Sequence, residues 1–185
     1  MDHGASSYRR FLSGDEDGIV EIIRDYKDGL ILYLNGFAHD IGLAEELMEE
    51  TFVKLVVKKP KFSDKYSFKT WLYTIGRNTA IDHFRKNKRT IPLSSEELQA
   101  ASGAPEDLER TVIKDEQKRT VHRALAKLKA EYAQVLYLAY FEDFDNAQIA
   151  AVMKKSKRQI ENLLYRAKSA LRAELEKEGF VYEGL

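Results

Sequence analysis

No cysteine occurs among the 185 residues, which excludes a disulfide framework and any thiolate metal site and fits a chain kept in a reducing cytoplasm. Proline is scarce, with three residues, and glycine contributes ten. Beside abundant Leu, Ala, Glu and Lys, that shortage of helix breakers favours an all-α fold. Long apolar runs are missing as well. The longest, Val135 to Phe141, has seven residues, against the ~20 that a membrane-spanning helix needs. The opening "MDHGASSYRR" lacks the basic-then-apolar order of a secretion signal. A soluble, cytoplasmic chain that is not inserted in a membrane is expected.

Recognisable catalytic chemistry is also lacking. The four histidines, His3, His39, His83 and His122, are scattered without metal-ligand spacing, and no GxxxxGK[ST], GxGxxG or GxSxG occurs. Acid pairs such as Glu49–Glu50 sit on an expected exposed helix, where a solvated face is the ordinary role. No enzyme activity, cofactor, metal site or small-molecule substrate is expected.

Net charge is zero, with 30 basic and 30 acidic residues, but the charges come in blocks. Residues 1–53 carry 4 basic and 12 acidic side chains, and residues 54–89 carry 11 and 2. Residues 90–116 carry 2 and 7, and residues 117–185 carry 13 and 9. Alternation on this scale separates partner surfaces, with the basic blocks suited to a polyanion.

Apolar spacing predicts two small helical domains joined by a flexible linker. A first domain, 8–89, begins with a helix over "DGIVEIIRDYKDGLILYLNGFA". A second helix follows Gly42, with Glu45 and Glu46 in its first turn and Lys58 and Lys59 at its end. In "SFKTWLYTIGRNTAIDHFRKNKR", Phe68, Trp71, Leu72 and Ile75 share one face while Ile81 and Phe84 fall opposite. That helix is therefore either buried on two sides or bent near Gly76. Residues 90–109 read as an acidic linker, and 110–177 as a second helical domain. The tail, 178–185, either docks on that domain or stays loose.

Within the second domain, "NAQIAAVMKKSKRQIENLLYRAKSALRAEL" divides as a helix-turn-helix. A short helix runs from Asn146 to Met153 with Ile149, Ala150 and Met153 inward. A longer helix starts at Ser156, its N-cap, with Gln159 in capping-box position. Ile160, Leu163, Leu164, Ala167 and Leu171 form its inner face. Opposite lie Lys155, Arg158, Asn162, Tyr165 and Arg166, with Gln159 on the flank. Arg and Lys pair with guanine or phosphate, and Asn and Gln with adenine. The candidate DNA-binding set is Lys155, Lys157, Arg158, Gln159, Asn162 and Arg166; the competing reading is a solvated basic face. Lys154 is expected at positive φ, a strain of about 1 kcal/mol.

Taken together, "AEELMEETFVKLV", "FKTWLYTIGRNTAIDHFRK" and "LAKLKAEYAQVLYLAYFEDFDNAQIAAVMKKSKRQIENLLYRAKSALR" resemble three motifs of one family. In this order they are similar to bacterial RNA polymerase sigma factors of the sigma-70 family, extracytoplasmic-function type. The resemblance implies a region 2-like domain and a region 4-like domain that contact core RNA polymerase and promoter DNA together. It implies polymerase contacts through Glu45, Glu46, Glu49, Glu50, Thr51 and Lys54. It assigns the minus-ten element to Lys61, Ser63, Tyr66, Arg77, Asn78 and Arg85, with Tyr66 able to stack on an unstacked base. Trp71 is expected to pack in the core. An anti-sigma protein is a further implied partner.

The chain departs from the family pattern at Lys129, at Lys154 and Lys155 in the turn, and at Glu161, so promoter sequence does not transfer from relatives. The alternative is a stand-alone helix-turn-helix regulator with an N-terminal partner or ligand module. A third reading, an adaptor whose basic faces meet only proteins, predicts no salt-dependent DNA affinity.

Overall fold

The computed structural model describes residues 2–87 and 116–177, with side chains in the second stretch from Thr120 onward. The expected linker 90–109, the start of the second domain at Arg110 and the tail 178–185 lie outside the described residues. Regular structure among those described is eight α-helices and no strand. They are α1 (His3–Leu12), α2 (Asp17–Ala38), α3 (Ile41–Lys58) and α4 (Phe68–Lys86), then α5 (Glu116–Ala126), α6 (Ala130–Tyr140), α7 (Asn146–Met153) and α8 (Lys157–Lys177).

Helix α2 has the bounds that its apolar spacing predicts, and it is the spine of the first group. Ile22, Leu30, Leu34 and Phe37 are almost wholly buried, because α1, α3 and α4 all pack on it. Helix α1 was not among the expected elements. Ten residues are too few to hold a helix alone, and only Ala5, Tyr8 and Phe11 mark its inner face. Asp2 fixes it from outside. One carboxylate oxygen accepts from Ala5 N at 3.2 Å, and the other accepts from Phe68 N, so one side chain caps α1 and anchors the start of α4.

Helix α3 starts earlier than expected. Asp40 caps it by accepting from Leu43 N at 3.2 Å, with Ile41 as the first helical residue. Gly42 is therefore inside the helix, and Glu45 and Glu46 move to its second turn. Lys58 ends it, and Lys59 is the left-handed cap at φ 41.

Helix α4 resolves the two options left by its apolar pattern. It is continuous and buried on two sides: Phe68, Leu72, Tyr73, Ala80 and Phe84 are each at most 4% exposed. It meets α1, α2 and α3 on one side and α7 on the other. Gly76 serves close approach, since a Cβ there would stand 2.9 Å from Leu30 Cδ1. Trp71 packs among Tyr8, Phe62 and Phe68, with ring centroids 5.2–5.5 Å apart, as a core aromatic.

His39 closes α2 in the left-handed region at φ 49, with both ring nitrogens buried and unpartnered. Burial lowers its pKa from 6.5 to about 4. The unfolded chain therefore takes up this proton more readily than the fold does. The neutral ring's contribution is complete above pH 6.5 and is lost as pH falls toward 4. Between pH 7.5 and pH 5 the loss is about 2 kcal/mol from this group. His39→Asn, which tolerates the left-handed backbone, should remove that part of the pH dependence. Urea midpoints of both proteins at the two pH values measure the difference; parallel slopes would refute it.

Candidate nucleic-acid interface

Between α3 and α4 the chain is pinned at alternate points. The Tyr8 hydroxyl donates to the Pro60 carbonyl at 2.8 Å, and Arg9 pairs with Asp64 at 2.6 Å. Phe62 turns inward, 5.2 Å from Trp71 and 5.7 Å from Phe68. Ser67 caps α4 by accepting from Thr70 N. Outward lie Lys61, Ser63, Lys65 and Tyr66, together with the Arg9-paired Asp64. Tyr66 is 39% exposed and has the Lys65 ammonium 5.5 Å from its ring centroid. A ring left open beside cations suits stacking on a base whose phosphates are neutralised nearby.

The helical members of the same set are separated from this loop. Arg77 and Asn78 are half-buried in the middle of α4, about 15 Å along the axis from its start. Arg77 Nε is buried without a partner. Arg85 is exposed near the helix end and pairs with Asp82 at 3.0 Å. Loop residues and Arg85 are therefore open to solvent, while Arg77 is mostly enclosed.

Helices α7 and α8 form the expected helix-turn-helix. Asp145 and Gln148 close a capping box at the start of α7. Ile149, Val152 and Met153 are its buried residues; Val152 takes the inward place expected for Ala150, which is half-buried. Lys154 adopts φ 54, and the Lys155 amide returns to the Ala150 carbonyl at 3.0 Å. Ser156 and Gln159 make a reciprocal box, with Ser156 N donating to Gln159 Oε1 at 2.8 Å and Gln159 N donating to Ser156 Oγ at 3.2 Å. Ile160 and Ala167 are fully buried, and Leu163, Leu164 and Leu171 pack against the core.

That register turns Lys157, Arg158, Gln159, Asn162 and Arg166 outward, all exposed, together with Tyr165 at 80%. Positions 158, 162 and 166 form one stripe. Two members carry prior commitments. The Gln159 oxygen is held in the cap, leaving its amide hydrogens as the free group. Lys155 pairs with Glu131 of α6 at 3.0 Å and is 27% exposed, so its ammonium also braces the turn.

The acidic face of α3 divides similarly. Glu46 and Glu49 are exposed, while Glu45 and Glu50 are half-buried. Thr51 is fully buried, its hydroxyl donating to the Leu47 carbonyl at 2.7 Å, so it is not a surface residue. Lys54 reaches Glu50 and the Thr79 hydroxyl, both at 2.9 Å, and so ties α3 to α4. Pattern reading missed Val53, Val56 and Val57, which are 56%, 40% and 74% exposed on the same helix. Their signal was three β-branched residues at i, i+3 and i+4 outside the inward stripe.

Two family models match the chain: Sigma-70 region 2 over residues 22–90, and Sigma-70 region 4 over residues 118–171. Together they span most of it, in the family's order. The chain belongs to the sigma-70 family of RNA polymerase sigma factors. It is a transcription initiation sigma factor of the extracytoplasmic-function type. Among relatives, the ECF RNA polymerase sigma factor SigW of Bacillus subtilis is 27% identical, covering 88% of this chain and 91% of SigW. The RNA polymerase sigma factor YlaC of the same organism is 29% identical over 87% and 94%. The fold is shared with the sigma factor RpoE of Bartonella quintana, solved with the anti-sigma factor NepR. There the TM-score is 0.64 at 20% identity, over 84% of this chain and 95% of RpoE. CnrH, solved with the cytosolic domain of CnrY, gives a TM-score of 0.62 at 20% identity over 95% and 96%. No helix among the described residues of the sigma factor is long and apolar enough to cross a membrane.

The turn geometry sets two stability expectations. Lys154→Gly should stabilise the sigma factor by about 1 kcal/mol, because glycine adopts the left-handed backbone without the Cβ clash. Ser156→Ala should destabilise it by about 1 kcal/mol through loss of the cap. Denaturant unfolding reports both, and a destabilising Lys154→Gly would show that the lysine side chain contributes more than the strain costs.

Proposed function

We propose that the sigma factor divides promoter recognition between the loop 61–66 with Arg85 and the outward stripe of α8. The observation that carries this reading is the register of α8. Its two capping groups and its buried Ile160 and Ala167 leave Arg158, Asn162 and Arg166 as one solvent-facing row. That row fits the major groove at the minus-thirty-five element. Arg158, Asn162 and Arg166, with the Gln159 amide, read base edges, while Lys157 meets phosphate. Lys61, Ser63, Tyr66 and Arg85 take the single strand of the minus-ten element, with Tyr66 as the stacking ring and Arg77 and Asn78 farther along α4.

Core polymerase docks on the outer face of α3. Exposed valines, with Glu46 and Glu49 on the N-terminal side of them, supply apolar area to desolvate and charge beside it. The domain division 8–89, 90–109, 110–177 accompanies this reading, because it lets each helical group meet its own promoter element. Both solved neighbours were captured with anti-sigma partners, and an anti-sigma protein is proposed here too. Its seat is the apolar groove of about 490 Å³ between α5, α6 and α8, walled by Leu125, Leu136, Tyr140 and Leu171 with Lys168 and Arg172 at the rim. Those walls suit an amphipathic helix carrying acids along one edge.

Run-off transcription with core polymerase and a promoter library is the direct test; absence of sigma-dependent transcripts across the library would refute the recognition scheme. A gel shift of free protein separates the stand-alone regulator, which binds its operator tightly without polymerase. Arg158→Ala should cost about 1–3 kcal/mol on the preferred minus-thirty-five sequence and flatten discrimination. Lys157→Ala should weaken all sequences alike and lower the salt slope by about 1. Equal effects from the two variants would remove the distinction between base and phosphate contacts. Val57→Glu should reduce polymerase binding while leaving the α8 row unaffected.

A further inference from the structure

Helix α8 has a second working face besides its reading row. Lys168, Leu171 and Arg172 lie on a different side of the helix from Arg158, Asn162 and Arg166, and with α5 and α6 they wall the groove of about 490 Å³. Leu125 and Leu136 form its floor, 5% and 1% exposed, while Tyr140 stands at the edge, 55% exposed. Both cations of the rim are exposed. The Lys168 ammonium rests 5.4 Å from the Tyr140 ring centroid, and no carboxylate among the described residues pairs with it or with Arg172. That sets them apart from Lys54, Lys69 and Lys155, each of which has an acid beside it.

We propose that residues 178–185, "EGFVYEGL", double back along α8 and fill this groove, so that the sigma factor covers the site with its own chain. Docking stands on the groove and on the chemistry of the segment. Its consequence, competition with an anti-sigma helix, rests on the groove being that helix's seat.

Reach, shape and charge all favour this occupant. Helix α8 ends at Lys177, six residues past Leu171 and so about 9 Å farther along the axis. Eight extended residues span up to about 26 Å, enough to return over that distance and cross the groove. Gly179, two residues beyond the helix, is the residue type that most readily reverses a chain there. Phe180 and Tyr182 alternate with Val181 and Glu183, so an extended path puts both rings on one side. The groove has the size of a cavity that encloses a drug-like molecule, which accommodates two rings. The segment carries two acids, Glu178 and Glu183, and no cation, which complements Lys168 and Arg172. Tethering raises the effective concentration of the segment at the groove, an advantage that a second copy of the chain lacks.

Because the chain has no cysteine, a single nitroxide can be placed at Gly184→Cys in the full-length protein. Amide signals of Leu125 on α5 and Tyr140 on α6 should lose most of their intensity with the label oxidised and regain it on reduction. The loss should vanish in Phe180→Ser with Tyr182→Ser, and also in Lys168→Glu with Arg172→Glu. It should return when the latter pair is combined with Glu178→Lys and Glu183→Lys. Unchanged signals from α1 to α4 show that each variant is folded. Undiminished Leu125 and Tyr140 signals in the labelled parent overturn docking. A loss that persists in both double variants overturns it too, because contact then needs neither the rings nor the charges. A loss that appears when label and observed amides are on separate copies makes the occupant a second copy and overturns the fold-back. As the probe for a helical partner, a synthetic amphipathic helix with leucines on one face and acids along one edge is titrated into both proteins. It should bind the Phe180→Ser, Tyr182→Ser variant at least about fivefold more tightly than the parent, as the open fraction rises. Equal affinity with the label effect intact leaves docking standing and removes the groove as the anti-sigma seat.

Discussion

Helix α4 has to be buried along both of its long faces, and most of the architecture answers to that constraint. Its apolar residues do not form one stripe, so a single neighbouring layer would leave Phe84 or Leu72 in water. α1, α2 and α3 cover one side and α7 covers another, each side chain adding roughly 1.5–3 kcal/mol on full burial. Gly76 lets α2 come close enough for Leu30 to fill the gap. A helix enclosed in this way cannot be a free DNA-reading rod. Only its ends and the loop before it are open, which is where the exposed candidate residues Lys61, Ser63, Tyr66 and Arg85 are found.

The aim of each exposed group is set by residues that never face solvent. Tyr8 holds Pro60, and Phe62 joins the ring cluster of Trp71 and Phe68, so residues 63–66 are left facing outward. Ser156 and Gln159 fix the start of α8, and one residue's error there would rotate its reading row by about 100°. Left-handed caps at Lys59 and Lys154 stop α3 and α7 without glycine, at a backbone cost. The placement of the exposed candidate groups thus comes from caps and aromatic packing, while those groups themselves supply charge and hydrogen-bonding capacity.

Much of this was legible in the residues. Helices α2 and α7 follow their apolar period to the terminal residue, and the outward set on α8 follows from the inward one. The family resemblance rested on motifs that periodicity alone did not interpret. Other parts were closed to such reading for a physical reason. Helix α1 is too short for its own pattern to decide, and it exists through contacts with α2 and α4. Thr51 and Lys54 share an acidic stretch of sequence with Glu49 and Glu50, yet Thr51 is buried and Lys54 reaches Thr79 of α4. Lys155 sits within a run of cations, and only the fold brings Glu131 beside it. Nothing local distinguishes Glu142 from Asp143 or Asp145, because its partners are Lys69 and Tyr73, more than sixty positions earlier in the chain.

The charge blocks along the sequence gain a different meaning in three dimensions. The basic stretch 54–89 is not one continuous cationic surface: Lys54 is spent on Glu50 and Thr79, and Lys69 on Glu142. The basic helix-turn-helix loses Lys155 to Glu131 in the same way. Cations nearest the helix junctions are the ones neutralised, and those farthest out, Lys61, Lys65, Lys157, Arg158 and Arg166, remain exposed. Attraction to phosphate falls off within a Debye length of roughly 8 Å at physiological salt, so the paired cations add little to it. The cations thus divide into an internal set that joins helices and an external set that stays in solvent. Only the external set should set the number of counterions released on binding, and that number is smaller than the count of basic residues in either block.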